Sequence, residues 1–204
     1  MKKVLIIGAT GTLGGAVRQT LLKTTDSQLT LFSRNVGQLK FDEQRERAIN
    51  GNVRNRNDLV AALADQDVVF AALSGDMAGY AQSLVDAMQA MSNPPKLIFI
   101  TTMGIYQEIP SWLGTSPDPY QNGILRSYRQ AADIIEGSAL NYTLIRPGWF
   151  TSGPVNYEIT HKGEPFGGHD ASVASIADLV QRLVLDVNLG QRDSLGINTP
   201  ANQN

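Results

Sequence analysis

The chain has 204 residues, a formal charge of −2, 42% hydrophobic and 18% charged residues, and no cysteine. That length suits one domain burying roughly 70% of its unfolded surface, and no shift in composition marks a second. The near-neutral balance, with Lys and Arg scattered, argues against direct nucleic-acid binding, and the lack of cysteine excludes disulfides and thiolate metal sites.

Val4-Leu5-Ile6-Ile7 predicts a buried strand, and Leu13, Ala16, Val17 and Leu21 fall on one helical face after it. Between them lies Gly8-Ala9-Thr10-Gly11-Thr12-Leu13-Gly14. At such a junction the first helical N–H groups lack acceptors and carry the positive end of the helix dipole, so the turn suits a phosphate. Gly8 would make the tight turn, Gly11 admit a pyrophosphate to the backbone, and Gly14 let the helix pack on the strand. The run from Gly8 through Thr10, Gly11, Thr12 and Leu13 to Gly14 is therefore expected to hold the phosphates of a dinucleotide. Its spacing, G-x-x-G-x-x-G in the form GATGxxG, resembles the short-chain dehydrogenase/reductase superfamily. The likeness is greatest to the atypical and extended branches, which include NmrA-like and NAD-dependent epimerase/dehydratase-like proteins.

Leu29–Phe32 predicts a second strand, ending at Ser33-Arg34. In a Rossmann fold this strand end meets the adenosine ribose, where an acid would accept from a free 2′-hydroxyl. A hydroxyl and a guanidinium fork suit a 2′-phosphate instead, so NADP is expected over NAD. Arg47–Asn50 is a short third strand leading into Gly51-Asn52-Val53. Asp58 would lead a helix with Leu59, Ala62 and Leu63 inward. Residues 67–73 form a near-continuous apolar strand, as a parallel sheet covered on both faces requires, and it ends at Leu73-Ser74-Gly75. After a helix with Ala81, Leu84, Val85 and Met88 inward, Lys96–Ile100 gives a fifth strand. It delivers Thr101-Thr102-Met103-Gly104-Ile105-Tyr106 to the carboxyl edge of the sheet, where open α/β sheets bind ligands.

Gln107–Asn122, with Pro110, Trp112, Gly114, Pro117, Pro119 and Tyr120, is the longest irregular piece and is expected to be a substrate-side flap. A surface crossover or a homodimer contact through Trp112 is the competing use. Ile124, Tyr128, Ala131, Ala132 and Ile135 mark a helix, and Tyr142–Ile145 a strand running into Arg146-Pro147-Gly148-Trp149-Phe150. Thr151–Ala171 is polar and glycine-rich and is expected to line a substrate cleft with a short strand or hairpin. Ser175 is a candidate cap for a last helix, with Asp178 near its positive end and Ile176, Leu179, Val180, Leu183, Val184 and Val187 inward. Ser194–Asn198 reads as a final edge strand and Thr199–Asn204 as a loose tail. The alternation predicts an α/β fold: one doubly wound parallel sheet of Rossmann type with helices on both faces, in a single domain.

The resemblance implies roles for particular residues. Superfamily members usually have Gly-Asp-Val where this chain has Gly51-Asn52-Val53, the acid contacting the adenine amino group; the Asn52 amide oxygen can accept the same bond. Leu73, Ser74, Gly75 and Thr101 would approach the cofactor. In extended members a Ser or Thr four residues before a Tyr polarises the substrate carbonyl, and Thr102 holds that place before Tyr106. The stretch YTLIRPG is similar to the YTIIRPG of atypical members, which would put Pro147, Gly148 and Trp149 around the nicotinamide.

Superfamily reductases also use Tyr-x-x-x-Lys, the ammonium lowering the tyrosine's pKa. Tyr128 is on the right helix, yet the fourth position on from it is Ala132, and no lysine occurs between Lys96 and Lys162. Aligned from Arg-Pro-Gly, the lysine position falls near Gln130; Arg126 and Arg129 bring charge to this helix without replacing a lysine. Two functions stand open. One is an NADP-dependent reductase or isomerase-like enzyme, in which Thr102, with Tyr106, Tyr120 or Tyr128, orients a small carbonyl or quinone; Thr102 and Tyr128 are the catalytic candidates. The other is a non-catalytic NmrA-like NADP sensor whose loops change a protein contact. The enzyme is favoured because strand-end residues and aromatic loops would form a small-molecule cleft. His161 and His169 stand eight residues apart without an adjacent carboxylate cluster, so no metal is expected. The short apolar run after Met1-Lys2-Lys3 stops at a glycine, and no stretch reaches the ~18 apolar residues of a membrane span. A cytoplasmic protein is expected, acting on a small molecule.

Overall fold

The structure is a computed structural model in which residues 1–201 are described. Of the tail expected over 199–204, residues 202–204 lie outside the described residues. β1 (Lys3–Ile7) buries Val4 through Ile7 completely, which is why its sequence is a continuous apolar run. Alternate side chains enter different cores. Val4 and Ile6 join the core under α1 (Thr12–Thr24) and α5 (Val173–Leu185), whereas Leu5 and Ile7 join that under α2 (Arg56–Leu63), α3 (Met77–Gln89) and α4 (Leu125–Glu136).

Around β1 stand β2 (Gln28–Ser33), β3 (Glu46–Asn50), β4 (Val68–Ala71), β5 (Lys96–Ile100) and β6 (Tyr142–Pro147). They run parallel in the order β3-β2-β1-β4-β5-β6, extended by parallel β10 (Asp193–Asn198) and antiparallel β8 (Glu158–Thr160). With α1 against α5 on one face and α3 against α4 on the other, this is the doubly wound Rossmann fold. β7 (Trp149–Thr151) and β9 (Asp170–Ser172) form a separate parallel pair above it.

Register sets the strand ends level. Ile7 pairs with Phe32 and Ala71, so Gly8, Ser33 and Ala72 stand side by side at the carboxyl edge; Ile100 pairs with Ile145, which brings Thr101 beside Arg146. Strand order reverses at β1, and the crevice above that reversal is where such sheets bind ligands.

Several local expectations are corrected. The cap of α5 is Ser172, whose hydroxyl accepts from Ser175 N at 3.0 Å; Ser175 lies buried in the first turn because the helix starts earlier than its apolar stripe. β10 is not an edge strand, since β8 covers its outer side. Asn55, not Asp58, opens α2: its side chain accepts from Asn57 N and Asp58 N. β4 ends at Ala71, which leaves Leu73 in the following loop.

Candidate dinucleotide cleft and substrate pocket

The glycine turn admits no side chain where two of its glycines stand. Gly8 has φ of +84°, and a Cβ on it would lie 2.1 Å from the Ala72 carbonyl oxygen; one on Gly14 would lie 2.2 Å from the Gly8 oxygen. Gly8 N donates to Phe32 O at 3.0 Å, tying the turn to the end of β2. Gly11 caps α1 and supplies no side-chain acceptor, so the amide groups at this helix start have no side chain competing with a ligand. Thr12 opens the helix, and Leu13 is buried in the core beneath it, leaving its backbone alone for phosphate.

Beside the turn lies a cleft of about 240 Å³. Gly8, Thr10 and Gly11 form one wall, Ser33 and Arg34 a second, Asn52 and Val53 a third, and Leu73 and Ser74 a fourth. Thr10 and Ser33 hydroxyls are 2.9 Å apart, and the Arg34 guanidinium makes no hydrogen bond or ion pair among the described residues. Asn52 Oδ1 already accepts from Arg54 N at 3.0 Å, which leaves one lone pair for an adenine amino group, while Asn52 N donates to Asp58 Oδ2 at 3.0 Å. Gly75 stands just beyond these walls with φ of +109°, so the turn itself calls for glycine there. Phe32 and Tyr80 also line the cleft and escaped the sequence analysis. Tyr80 sits one position before the Ala81, Leu84, Val85 stripe, where pattern alone shows only a helix flank.

A second cleft, of about 600 Å³, opens above β5 and β6. Thr101, Thr102, Tyr128, Pro147, Gly148 and Trp149 all reach it, joined by Leu113 and Pro117 from the 107–122 loop and by His169. Among the described residues no Asp, Glu, Lys or Arg lines it. The Thr101 hydroxyl is spent on Ile145 O at 2.9 Å, whereas the hydroxyls of Thr102 and Tyr128 make no hydrogen bond among the described residues. Burial pushes the Tyr128 pKa up. Trp149 is 65% exposed and Phe150 49%, so neither is core.

The floor of this cleft is pinned from below. Arg146 extends under it and donates to Glu108 Oε1 (2.6 Å), Ser194 Oγ (3.1 Å) and Ser194 O (3.2 Å). The Glu108 carboxylate in turn accepts from Gly104 N (3.0 Å) and Tyr106 N (2.9 Å). The loop that carries Thr102 is thus fastened to β6 and β10.

A family model described as NAD(P)H-binding matches residues 8–186. The chain belongs to the NAD(P)H-binding family. Among solved structures, a Rossmann-fold NAD(P)-binding family protein from Shigella flexneri is 33% identical over 98% of this chain and 95% of its own, with a TM-score of 0.83. A short-chain dehydrogenase/reductase from Veillonella parvula in complex with NADP is 24% identical over 100% and 97%, with a TM-score of 0.87. An anaerobillin reductase from Escherichia coli O157:H7 shares the fold at 15% identity, 99% and 98% coverage and a TM-score of 0.74. No curated protein matches.

Within this NAD(P)H-binding domain the aromatic candidates part company. Tyr106 donates its hydroxyl to Glu136 Oε1 at 2.7 Å; burial, reinforced by that carboxylate, pushes its pKa up. Tyr120 donates to Asp133 Oδ2 at 2.7 Å and accepts from Arg129 Nε at 3.0 Å. Lys162 is drawn to Glu136 at 2.8 Å, and Arg129 to Asp133 at 2.5 Å. Of the three tyrosines, Tyr128 alone faces the cleft with a hydroxyl that no described residue bonds. The two histidines each face one aspartate, His161 with Asp193 and His169 with Asp170. Among the described residues no group of three or more His, Asp or Glu is placed to hold a metal, and no helix is long and apolar enough to cross a membrane.

Proposed function

We propose that the protein is a cytoplasmic NADP(H)-dependent reductase of small, uncharged carbonyl compounds or quinones. The observation that carries this reading is the apolar cleft above β5 and β6: it presents the unbonded hydroxyls of Thr102 and Tyr128, and among the described residues no Asp, Glu, Lys or Arg lines it. The glycine turn fits a dinucleotide pyrophosphate, and Ser33 with Arg34 fits a 2′-phosphate where an acid would repel it. Bound there, the reduced dinucleotide supplies hydride. Thr102 donates to the substrate oxygen, Trp149 and Phe150 cover an apolar ring, and the 107–122 loop sheds water from the cleft. Charged substrates are disfavoured because no carboxylate, ammonium or guanidinium among the described residues lines the cleft to compensate their desolvation.

A second reading, an NmrA-like NADP(H) sensor, draws on one observation: Tyr128 has Ala132 where the lysine would stand, and Arg129 and Lys162 are committed to carboxylates. A panel of ketones, aldehydes and quinones, followed by loss of NADPH absorbance, decides between them. Turnover of any acceptor supports the reductase; tight NADPH binding without turnover supports the sensor.

A further inference from the structure

We propose that His169 is the proton donor of the substrate cleft, a role that rests on the reductase reading above. His169 directly precedes β9 and borders both the 600 Å³ cleft and a neighbouring cavity of about 530 Å³. Its carbonyl accepts from Trp149 N at 2.9 Å, and a Cβ on Gly148 would lie 2.4 Å from that same oxygen, so its backbone is pressed against the Arg-Pro-Gly turn. The imidazole stacks on the Trp149 ring, centroids 6.4 Å apart and planes 29° apart. Nδ1 pairs with Asp170 Oδ1 at 2.5 Å, and Nε2 makes no hydrogen bond among the described residues. A carboxylate thus orients the ring and leaves Nε2 as its unengaged nitrogen, the arrangement a general acid needs.

The competing groups are few. Among the described residues Asp170 and Tyr128 are the other titratable side chains lining either cavity; no Glu, Lys or Arg of them does so. Tyr128 lacks a cation to ease its proton away, and Tyr106 and Tyr120 are tied to Glu136 and Asp133. With a bound reduced dinucleotide supplying hydride to the carbonyl carbon, the C=O π pair would pass to oxygen, and His169 Nε2 would give its proton to that oxygen. Water then restores the proton through the exposed ring. The demand for this proton scales with the basicity of the product oxyanion: a ketone's alkoxide needs it, a hydroquinone anion much less.

The test compares wild type, His169→Gln and His169→Ala on acceptors of graded oxyanion basicity. We expect His169→Gln to lower kcat at least roughly a hundredfold for the acceptor giving the most basic oxyanion and less than about tenfold for a quinone, with partial rescue of His169→Ala by free imidazole. The pH profile of wild-type kcat should carry a limb that the His169→Gln profile lacks. Independently of turnover, the 15N ring spectrum, simplified by there being two histidines, should show the His169 signals moving when product alcohol is added to the oxidised-dinucleotide complex. Equal losses on all acceptors, or an unmoved His169 spectrum, would overturn the proposal while leaving the reductase standing. Failure of the wild type on every acceptor overturns both.

Discussion

Arg146 and Glu108 form an ion pair of 2.6 Å with 0% and 3% of their side chains exposed, directly beneath the loop that presents Thr102. Two desolvated charges hold together because their remaining valences are filled: Ser194 serves the guanidinium, and the amides of Gly104 and Tyr106 serve the carboxylate. Removing one partner strands the other in the core. Glu108→Gln should therefore cost about 3–5 kcal/mol of stability, read by urea denaturation. A loss below about 1 kcal/mol would mean the pair is dispensable.

The glycines of the turn and of the helix that follows should respond oppositely. Gly8→Ala places a Cβ against the Ala72 carbonyl at a φ of +84°, and should cost about 1–3 kcal/mol from the backbone alone and abolish NADPH binding. Gly15, within α1, has nothing within 4 Å of its Cβ position, so Gly15→Ala should raise stability by up to about 1 kcal/mol. Thermal melts and NADPH titration of the two variants check the contrast.

That contrast shows what was legible beforehand. The apolar run of β1, the spacing of Gly8, Gly11 and Gly14 and the Ser33-Arg34 pair are local patterns; in the structure the run is a fully buried strand, the glycines stand at its junction with α1, and Ser33-Arg34 stands at the end of β2. Glu108 pairs with a residue 38 positions away and sits in an irregular loop, so no periodicity announced it. The same holds for His169: its neighbours in sequence are glycine and aspartate, and its closeness to Trp149 exists only once β7 pairs with β9. β10 reads as an edge strand for the same reason, since the three residues of β8 that cover it are too few to show alternation.

Lys96 gives the protein a pH dependence at alkaline values. Its ammonium, buried at the start of β5, donates to Leu189 O at 2.5 Å, and burial lowers its pKa from 10.5 to about 8. Between those values the unfolded chain holds the proton that the folded chain has released, so this group's contribution to stability rises with pH across the window and is constant below it. The stability of wild type relative to Lys96→Met should climb from pH 8 toward pH 10, by at most about 1.4 kcal/mol per unit. A flat difference in urea titrations would contradict the buried placement.

Thr102 and Tyr128 are separable by kinetics. Thr102→Ala should lower kcat/KM by about tenfold while leaving NADPH affinity unchanged, since it removes one hydrogen bond to the substrate oxygen. Tyr128→Phe should act chiefly on KM, because its hydroxyl has no cation to make it a ready acid. Intact turnover of an identified acceptor in the Thr102 variant would remove that residue from the reaction.

The measurement that bears most directly on the whole account is a calorimetric titration of the wild type and of Arg34→Ala with NADPH and with NADH. The guanidinium at the end of β2 is unengaged by the described residues and lines the cleft beside the glycine turn. NADPH should bind the wild type at least about tenfold more tightly than NADH, and Arg34→Ala should erase that preference while sparing NADH affinity, as loss of one charge-assisted hydrogen-bonding partner requires. Equal affinity of the wild type for the two dinucleotides, or no binding of either, would contradict the reading of the cleft on which the reductase, Thr102 and His169 all depend.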